Sequence, residues 1–127
     1  MDFIFFFDDS DKLLLRTEDK LGITFICNRY TRDQNPLIFV YSKIKSPKPD
    51  SLKNLNGLEL ESLKDLLSIE KEYYLKDLSK TNSKTNFLFP KWLEYQFKSF
   101  YVIEKSNNIF LKYRVKPAEM DIDYIDK

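Results

Sequence analysis

Residues 58–78 read LELESLKDLLSIEKEYYLKDL, and this is the long run of the chain with clear helical periodicity. When successive residues are placed 100° apart, its apolar side chains fall within one broad arc, which is typical of a helix that packs on a core. The arc consists of Leu60, Leu63, Leu66, Leu67, Tyr73, Tyr74 and Leu78. The opposite side consists of Glu61, Asp65, Ser68 and Glu72. We therefore predict a long amphipathic helix.

Segments rich in Phe, Ile, Val and Tyr lie before and after this helix and read as strands. Residues 3–7 form a solid apolar run that ends at a cluster of Asp and Ser, which favours a turn. Residues 23–30 and 37–44 combine β-branched and aromatic side chains, as strands do, and are separated by a polar stretch with the composition of a turn. Residues 12–21 fit either a hairpin strand or a short helix, and we favour the hairpin.

The strongest hairpin pattern lies near the C-terminal end. If Asn107 and Asn108 occupy a two-residue turn, where Asn tolerates positive φ, Val102 pairs with Tyr113. One face of this hairpin is then apolar. The other face is mixed aromatic and basic, unless another part of the fold covers it. That face carries Tyr101, Ile103, Phe110, Lys112 and Arg114.

The remaining segments read as a short helix, loops and a tail. Pro90 fits the first turn of a short second helix, because proline is tolerated there. Proline pairs and polar residues predict mobile loops near 45–57 and 80–87. The acidic tail, 117–127, either adds an edge strand or stays free for a partner.

These elements predict a single α+β domain over residues 1–127. Its antiparallel sheet has about five or six strands, from residues 3–44 and 99–116, and the long helix covers one face. The composition agrees, since 43% hydrophobic and 16% aromatic residues in a chain of 127 supply a core for one domain.

Compartment and redox state are indicated by what the sequence lacks. The apolar run at residues 3–7 is too short for a secretion signal and is flanked by acids, and no stretch approaches the length of a membrane span. Cys27 is the single cysteine, so no internal disulfide can form. We expect a soluble cytoplasmic protein.

Catalytic chemistry is disfavoured by the side chains available. The sequence contains no histidine, which removes the commonest general base and every Ser–His or Cys–His pair. Its two glycines are isolated, so no phosphate-cradling loop is present. We predict no catalytic residue, no metal site and no cofactor, and therefore a protein that is not an enzyme.

The cluster Asp8-Asp9-Ser10-Asp11 follows an apolar strand. Over roughly ten residues it resembles the haloacid-dehalogenase-like phosphatases, a resemblance that implies an Asp nucleophile and a Mg²⁺ ligand. Lys12 and Leu13 do not continue that family's pattern. We interpret the cluster as a turn.

Two binding hypotheses follow from the charges. Glu61 and Asp65 are like charges at i, i+4 spacing, which mildly destabilises a helix and is explained if a basic partner docks on this stripe. We favour a small inhibitor or regulator of one protein target, as toxin-immunity proteins and phage antagonists of host defence are. No membrane and no small-molecule substrate is expected. Its contacts are predicted at Glu61, Asp65, Glu72, Asp121, Asp123 and Tyr124.

The alternative hypothesis is a protein that binds single-stranded nucleic acid on the hairpin face. Aromatic side chains stack on unpaired bases while basic side chains neutralise the backbone. The residues predicted for this role are Tyr101, Phe110, Lys112 and Arg114.

Overall fold

The computed structural model describes residues 1–28, 36–75, 87–88, 91–94 and 96–120. Most of the elements within these ranges are strands. In chain order the elements are β1 (Asp2–Phe7), β2 (Leu14–Glu18), β3 (Gly22–Cys27), β4 (Leu37–Ser42), β5 (Asp50–Leu52), α1 (Leu63–Leu75), β6 (Phe87–Leu88), α2 (Lys91–Glu94), β7 (Ser99–Ser106), β8 (Ile109–Arg114) and β9 (Lys116–Met120).

The predicted α+β fold, with one antiparallel sheet under a long helix, is wrong. The strands form a four-stranded sheet in the order β1-β7-β8-β5 and a five-stranded sheet in the order β2-β3-β4-β9-β6. The four-stranded sheet is mixed, because β1 and β7 run parallel. The five-stranded sheet is antiparallel throughout. Each sheet covers the inner face of the other, so the fold is mainly β.

Helix α1 is shorter than the periodic stretch predicts and does not cover a sheet. It begins at Leu63, because Ser62 and Asp65 form a capping box: the Ser62 hydroxyl accepts from the Asp65 N–H (3.1 Å) and the Asp65 carboxylate accepts from the Ser62 N–H (3.0 Å). Leu66 is buried in the core, whereas Leu75 is 76% exposed. A periodic stripe shows that one face can be buried but not what buries it, and here the second sheet supplies the cover.

Aromatic side chains fill the space between the sheets. The Phe39 ring of the five-stranded sheet lies 5.4 Å from the Phe3 ring of the four-stranded sheet, between ring centroids. The Phe25 ring lies 5.7 Å from that of Tyr113 across the same interface, and the Tyr41 ring lies 4.8 Å from Tyr113. These offset and edge-on contacts hold the two sheets in a fixed alignment.

The predicted hairpins are confirmed. Val102 pairs with Tyr113, and Asn107 has a φ of 57° in the turn between β7 and β8. Within residues 12–21 the structure has the favoured hairpin strand, β2, which pairs with β3. The strands predicted at residues 3–7, 23–30 and 37–44 correspond to β1, β3 and β4. The turn predicted between the last two lies mostly outside the described residues.

Other predictions are met in part. Helix α2 is the predicted short second helix, although Pro90 lies outside the described residues. The predicted loop at 45–57 contains a strand, because β5 pairs with β8. Of the loop predicted at 80–87, only Phe87 is described, in β6. Residues 117–120 belong to β9, which lies between β4 and β6, and the rest of the tail lies outside the described residues.

The chain between β5 and α1 crosses the outer face of the four-stranded sheet. It leaves one edge of this sheet at Leu52, beside β8, and rejoins the opposite edge at Glu61, which bridges to Phe5 of β1. The inner face is filled by the other sheet, so residues 53–60 pass over the outer face. Ile103 accordingly is 0% exposed although its side chain is on that outer face.

A change of sheet occurs at Val115. Strand β8 ends at Arg114 in the four-stranded sheet, and β9 begins at Lys116 in the five-stranded sheet. Val115 itself is buried, and its N–H donates to the Phe100 carbonyl at 3.0 Å. The outer faces of the two sheets meet at this corner. Neither helix in the described part of the chain has the length and apolar character needed to cross a membrane.

Candidate functional site

The acidic stripe predicted along the helix is divided by the structure. Asp65 is engaged in the capping box with Ser62, so its spacing from Glu61 has a local structural reason. Glu61 precedes the helix and lies at the edge of β1. Glu72 is exposed farther along α1. The other predicted contacts, Asp121, Asp123 and Tyr124, lie outside the described residues.

Glu61 is the centre of an acidic cluster, which consists of Glu59, Glu61 and Asp65. Partial burial raises the pKa of the Glu61 carboxyl, and the negative charges of Asp65 and then Glu59 raise it further. The charges that act on this carboxyl are thus both repulsive. A cation brought by a partner could offset this repulsion.

The aromatic residues of the hairpin face already have partners within the chain. The Lys112 ammonium lies 4.3 Å from the centroid of the Tyr101 ring. The Phe110 ring packs edge-on against Phe6, with 6.0 Å between centroids. Residues 53–60 also cross this face. The Tyr101 and Phe110 rings therefore contact side chains of the chain itself, and Arg114 lines a groove.

We call this groove the corner groove, because it lies where β8 passes into β9. Its volume is ≈ 390 Å³. One wall comes from β4 and the turn that follows it, and the other comes from the junction between the two sheets. The lining residues are Val40, Ser42, Lys45, Ser46, Pro47, Arg114, Val115 and Lys116.

The corner groove is cationic. Lys45, Arg114 and Lys116 contribute positive charges, and no carboxylate is among the lining residues that the structure describes. Within the described ranges, these three cations form no ion pair. All three side chains line the groove, so their charges attract an anionic ligand to it.

Hydrogen bonds order the wall of the corner groove that carries Lys45. The Ser42 hydroxyl oxygen accepts from the Lys45 N–H at 3.0 Å, and the Ser46 hydroxyl oxygen accepts from the Ser42 N–H at 3.4 Å. Both hydroxyls act as acceptors in these bonds, so each retains its own O–H to donate. Tyr41 donates to the Pro47 carbonyl at 3.1 Å and fixes the next residue of the wall. Two neutral donors thus accompany the three cations.

Three residues of the corner groove were not predicted from the sequence as site residues: Ser42, Lys45 and Ser46. They lie far along the chain from Arg114 and Lys116, and only the sheet change at Val115 brings the two segments together. A usable signal was present, since Lys45 and Ser46 precede a proline pair that must leave the strand. That signal locates a turn but not the element that faces it.

A second polar cluster joins the two sheets at their other side. The Arg16 guanidinium of β2 donates to both carboxylate oxygens of Glu104 on β7, at 2.7 and 2.9 Å, and the Tyr113 hydroxyl donates to the same carboxylate at 3.0 Å. Burial opposes the charge on Arg16. The hydrogen bonds that Arg16 donates to Glu104 and then to Glu18 outweigh this effect and raise the pKa of Arg16. This arrangement satisfies its own members, which indicates a structural role.

The cluster from Asp8 to Asp11 is a turn, as interpreted. The Asp8 carboxylate accepts from the Ser10 hydroxyl at 2.7 Å and from the Ser10 N–H at 3.0 Å, and these bonds lower the pKa of Asp8. The Asp11 carboxylate accepts from the Leu13 N–H. Across the described residues, no three acidic or cysteine side chains form a group able to hold a metal ion.

Comparison with known proteins finds no family model, no curated protein and no solved structure that matches the chain.

Proposed function

We propose that this protein is a non-enzymatic binding protein that holds single-stranded nucleic acid in the corner groove. The observation that carries the proposal is the grouping of Lys45, Arg114 and Lys116 in one cleft, whose described lining residues include no acid. Such a cleft attracts an anion and offers it direct hydrogen bonds, and phosphodiesters are the anions that a row of cations fits.

The shape of the corner groove favours a single strand over a duplex. Its volume of ≈ 390 Å³ falls in the range of clefts that hold small ligands, about 300–1,000 Å³, which suits one nucleotide and its phosphate. Val40, Pro47 and Val115 supply apolar surface for a base, and the cations supply contacts to the backbone. Contacts to a phosphodiester backbone and to the apolar surface of a base do not depend on which base is present, so such binding does not read the sequence.

The first test compares two double variants that lose the same charge. Arg114→Gln with Lys116→Gln removes two cations of the corner groove, whereas Lys20→Gln with Lys53→Gln removes two exposed lysines outside it. Fluorescence anisotropy of a labelled oligothymidylate is measured from low to moderate salt. Each phosphate contact contributes about −0.7 to the slope of log K against log [salt] for single strands, so the groove variant should lose about 1.4 of the slope.

The lysine control should bind with a slope close to that of the original chain, because its charges lie outside the groove. Equal losses in both double variants would show that binding follows net charge alone and would remove the groove from the proposal. Absence of salt-dependent binding by the original chain would remove the nucleic acid itself.

A second candidate function is the inhibitor or regulator of one protein target that the sequence predicts. The acidic cluster favours it, because Glu61 carries a charge that burial and two neighbouring carboxylates both oppose. A Lys or Arg from a basic protein surface would relieve that opposition on docking. Charge that destabilises the free protein while serving a partner is a recurrent property of binding sites.

Glu61→Gln should therefore raise the melting temperature at pH 7 while weakening capture of the partner. A raised carboxyl pKa means that folding opposes ionisation, so the neutral amide removes a destabilising charge.

Tagged protein is used to capture partners from nuclease-treated native extract. The cluster variant Glu59→Gln with Glu61→Gln is compared with Asp50→Asn and Glu94→Gln, two exposed acids elsewhere. A basic protein that the control retains and the cluster variant loses supports this function, and equal retention contradicts it.

A further inference from the structure

We propose that two copies of this chain associate through their β2 strands, antiparallel about a two-fold axis at Thr17, to form one continuous sheet. Among the strands that the structure describes, β2 is the outermost of the five-stranded sheet and has β3 as its one neighbour. The interface lies apart from the corner groove, so the inference is independent of the proposed function.

The free edge of β2 presents backbone groups at alternate residues. Leu13 accepts from the Asn28 N–H at 2.8 Å, and the Asp19 N–H donates to the Gly22 carbonyl at 3.0 Å, so the odd-numbered residues of this ladder bond to β3. In an antiparallel pair the residues between them direct their N–H and C=O groups to the other side. Arg16 and Glu18 therefore offer both backbone groups to a further strand.

The side chains of β2 make this edge complementary to itself. With Thr17 opposite Thr17 of the second copy, Arg16 stands directly opposite Glu18, and the same pair recurs on the other side of the axis. Opposite charges at facing positions stabilise an antiparallel pair, as do facing threonines. Charged edge strands usually repel a further strand. Here their alternating signs attract a second copy.

Arg16 can make this contact without giving up its bonds within the chain. A guanidinium carries five N–H donors, and Arg16 uses three of them on Glu104 and Glu18. The remaining donors can reach Glu18 of the second copy. A cleft of ≈ 330 Å³ lined in part by Leu15, Arg16 and Glu104 keeps this side of the sheet accessible.

The neighbouring register is unfavourable. Sliding the two strands until Arg16 faces Arg16 keeps the backbone bonds but places like charges directly opposite each other, which destabilises a pair. The charges thus select the register centred on Thr17.

A cysteine cross-link tests both the association and its register. Thr17 of the two copies forms a pair without hydrogen bonds, in which the Cα atoms lie about 4.5 Å apart, a separation that a disulfide spans. Thr17→Cys should therefore cross-link the full chain under mild oxidation. Leu15→Cys is the matched control, because Leu15 lies on the same face of the same strand and is 51% exposed, but faces Asp19 in this register. Cys27 is buried in both variants.

Rapid cross-linking of the Thr17→Cys chain with at least a tenfold slower reaction of the Leu15→Cys chain supports the proposal. Equal rates indicate random collision, a faster Leu15→Cys reaction indicates another register, and no cross-link indicates no association, so each of these results overturns it. Sedimentation of the chain without added cysteine gives a second readout. Glu18→Lys places a cation opposite Arg16 and should convert the dimer to monomer, and an unchanged dimer would contradict the proposed interface.

Discussion

Replacing Phe39 with alanine should lower the free energy of unfolding by about 3–5 kcal/mol. Phe39 is 0% exposed and lies at the centre of the interface between the sheets, with its ring centroid 5.4 Å from that of Phe3 and 6.4 Å from that of Phe5. Its loss removes apolar burial and leaves a cavity whose walls belong to two sheets. Neither sheet can close the cavity without shifting against the other.

Urea denaturation followed by the fluorescence of Trp92, which is itself buried, measures this loss. Val40→Ala is the control, because Val40 is the next residue of β4, points to the outer face and is 40% exposed. We expect the control to change the unfolding free energy by less than about 1 kcal/mol. Comparable losses in the two variants would show that the inner face of β4 is not the core.

The strands could be predicted because their information is local. The five apolar residues from Phe3 to Phe7, and the β-branched and aromatic side chains of β3 and β4, specify buried extended chain wherever it pairs. The turn at Asn107 is equally local, because few residues tolerate a positive φ. These features were read correctly with their approximate bounds.

The sheet arrangement could not be predicted in the same way. Strand β1 pairs in parallel with β7, almost a hundred residues away. The residues of the two strands do not indicate that they pair with each other. The helical stripe suggested a cover for one sheet, but a stripe of leucines is compatible with any apolar surface. The three-residue strand β5 carries too few side chains to show a period.

The corner groove was recognised from the sequence only in part. Arg114 was identified on a basic hairpin face, but its orientation toward Lys45 depends on the bend at Val115. The aromatic part of that face makes contacts that the sequence did not predict. Tyr101 contacts Lys112, and Phe110 contacts Phe6. Such contacts between strands cannot be predicted from the residue spacing within one strand.

Glu104→Ala should lower the free energy of unfolding by about 2–3 kcal/mol, because it removes the acceptor of several charge-assisted hydrogen bonds. The side chain of Glu104 is only 14% exposed. The change leaves the Arg16 guanidinium and the Tyr113 hydroxyl without the carboxylate that accepts their hydrogen bonds. Glu18→Ala is the matched control when both variants are measured at a concentration too low for the β2 strands of two copies to pair. It also removes a carboxylate bound to Arg16, but an exposed one, and its effect should be much smaller. Equal effects would show that the contact between the sheets adds nothing to stability.

The same network can be tested by the direction in which stability changes at alkaline pH. Burial, followed by the charge and hydrogen bond of Glu104, raises the pKa of Tyr113 from 10.0 to about 12. Because the folded-state pKa is the higher one, the contribution of Tyr113 to stability is complete below pH 10 and is lost as the pH rises toward 12. The original chain and Tyr113→Phe differ in this phenol alone, so the difference between their stabilities isolates this group.

That difference should shrink steadily between pH 10 and about 12. In a Glu104→Gln background the pKa of Tyr113 loses the contribution of the carboxylate charge, so the same decline should end at a lower pH. Stability curves of the original chain and Tyr113→Phe that stay parallel across this range would mean that the phenol does not meet a charged carboxylate.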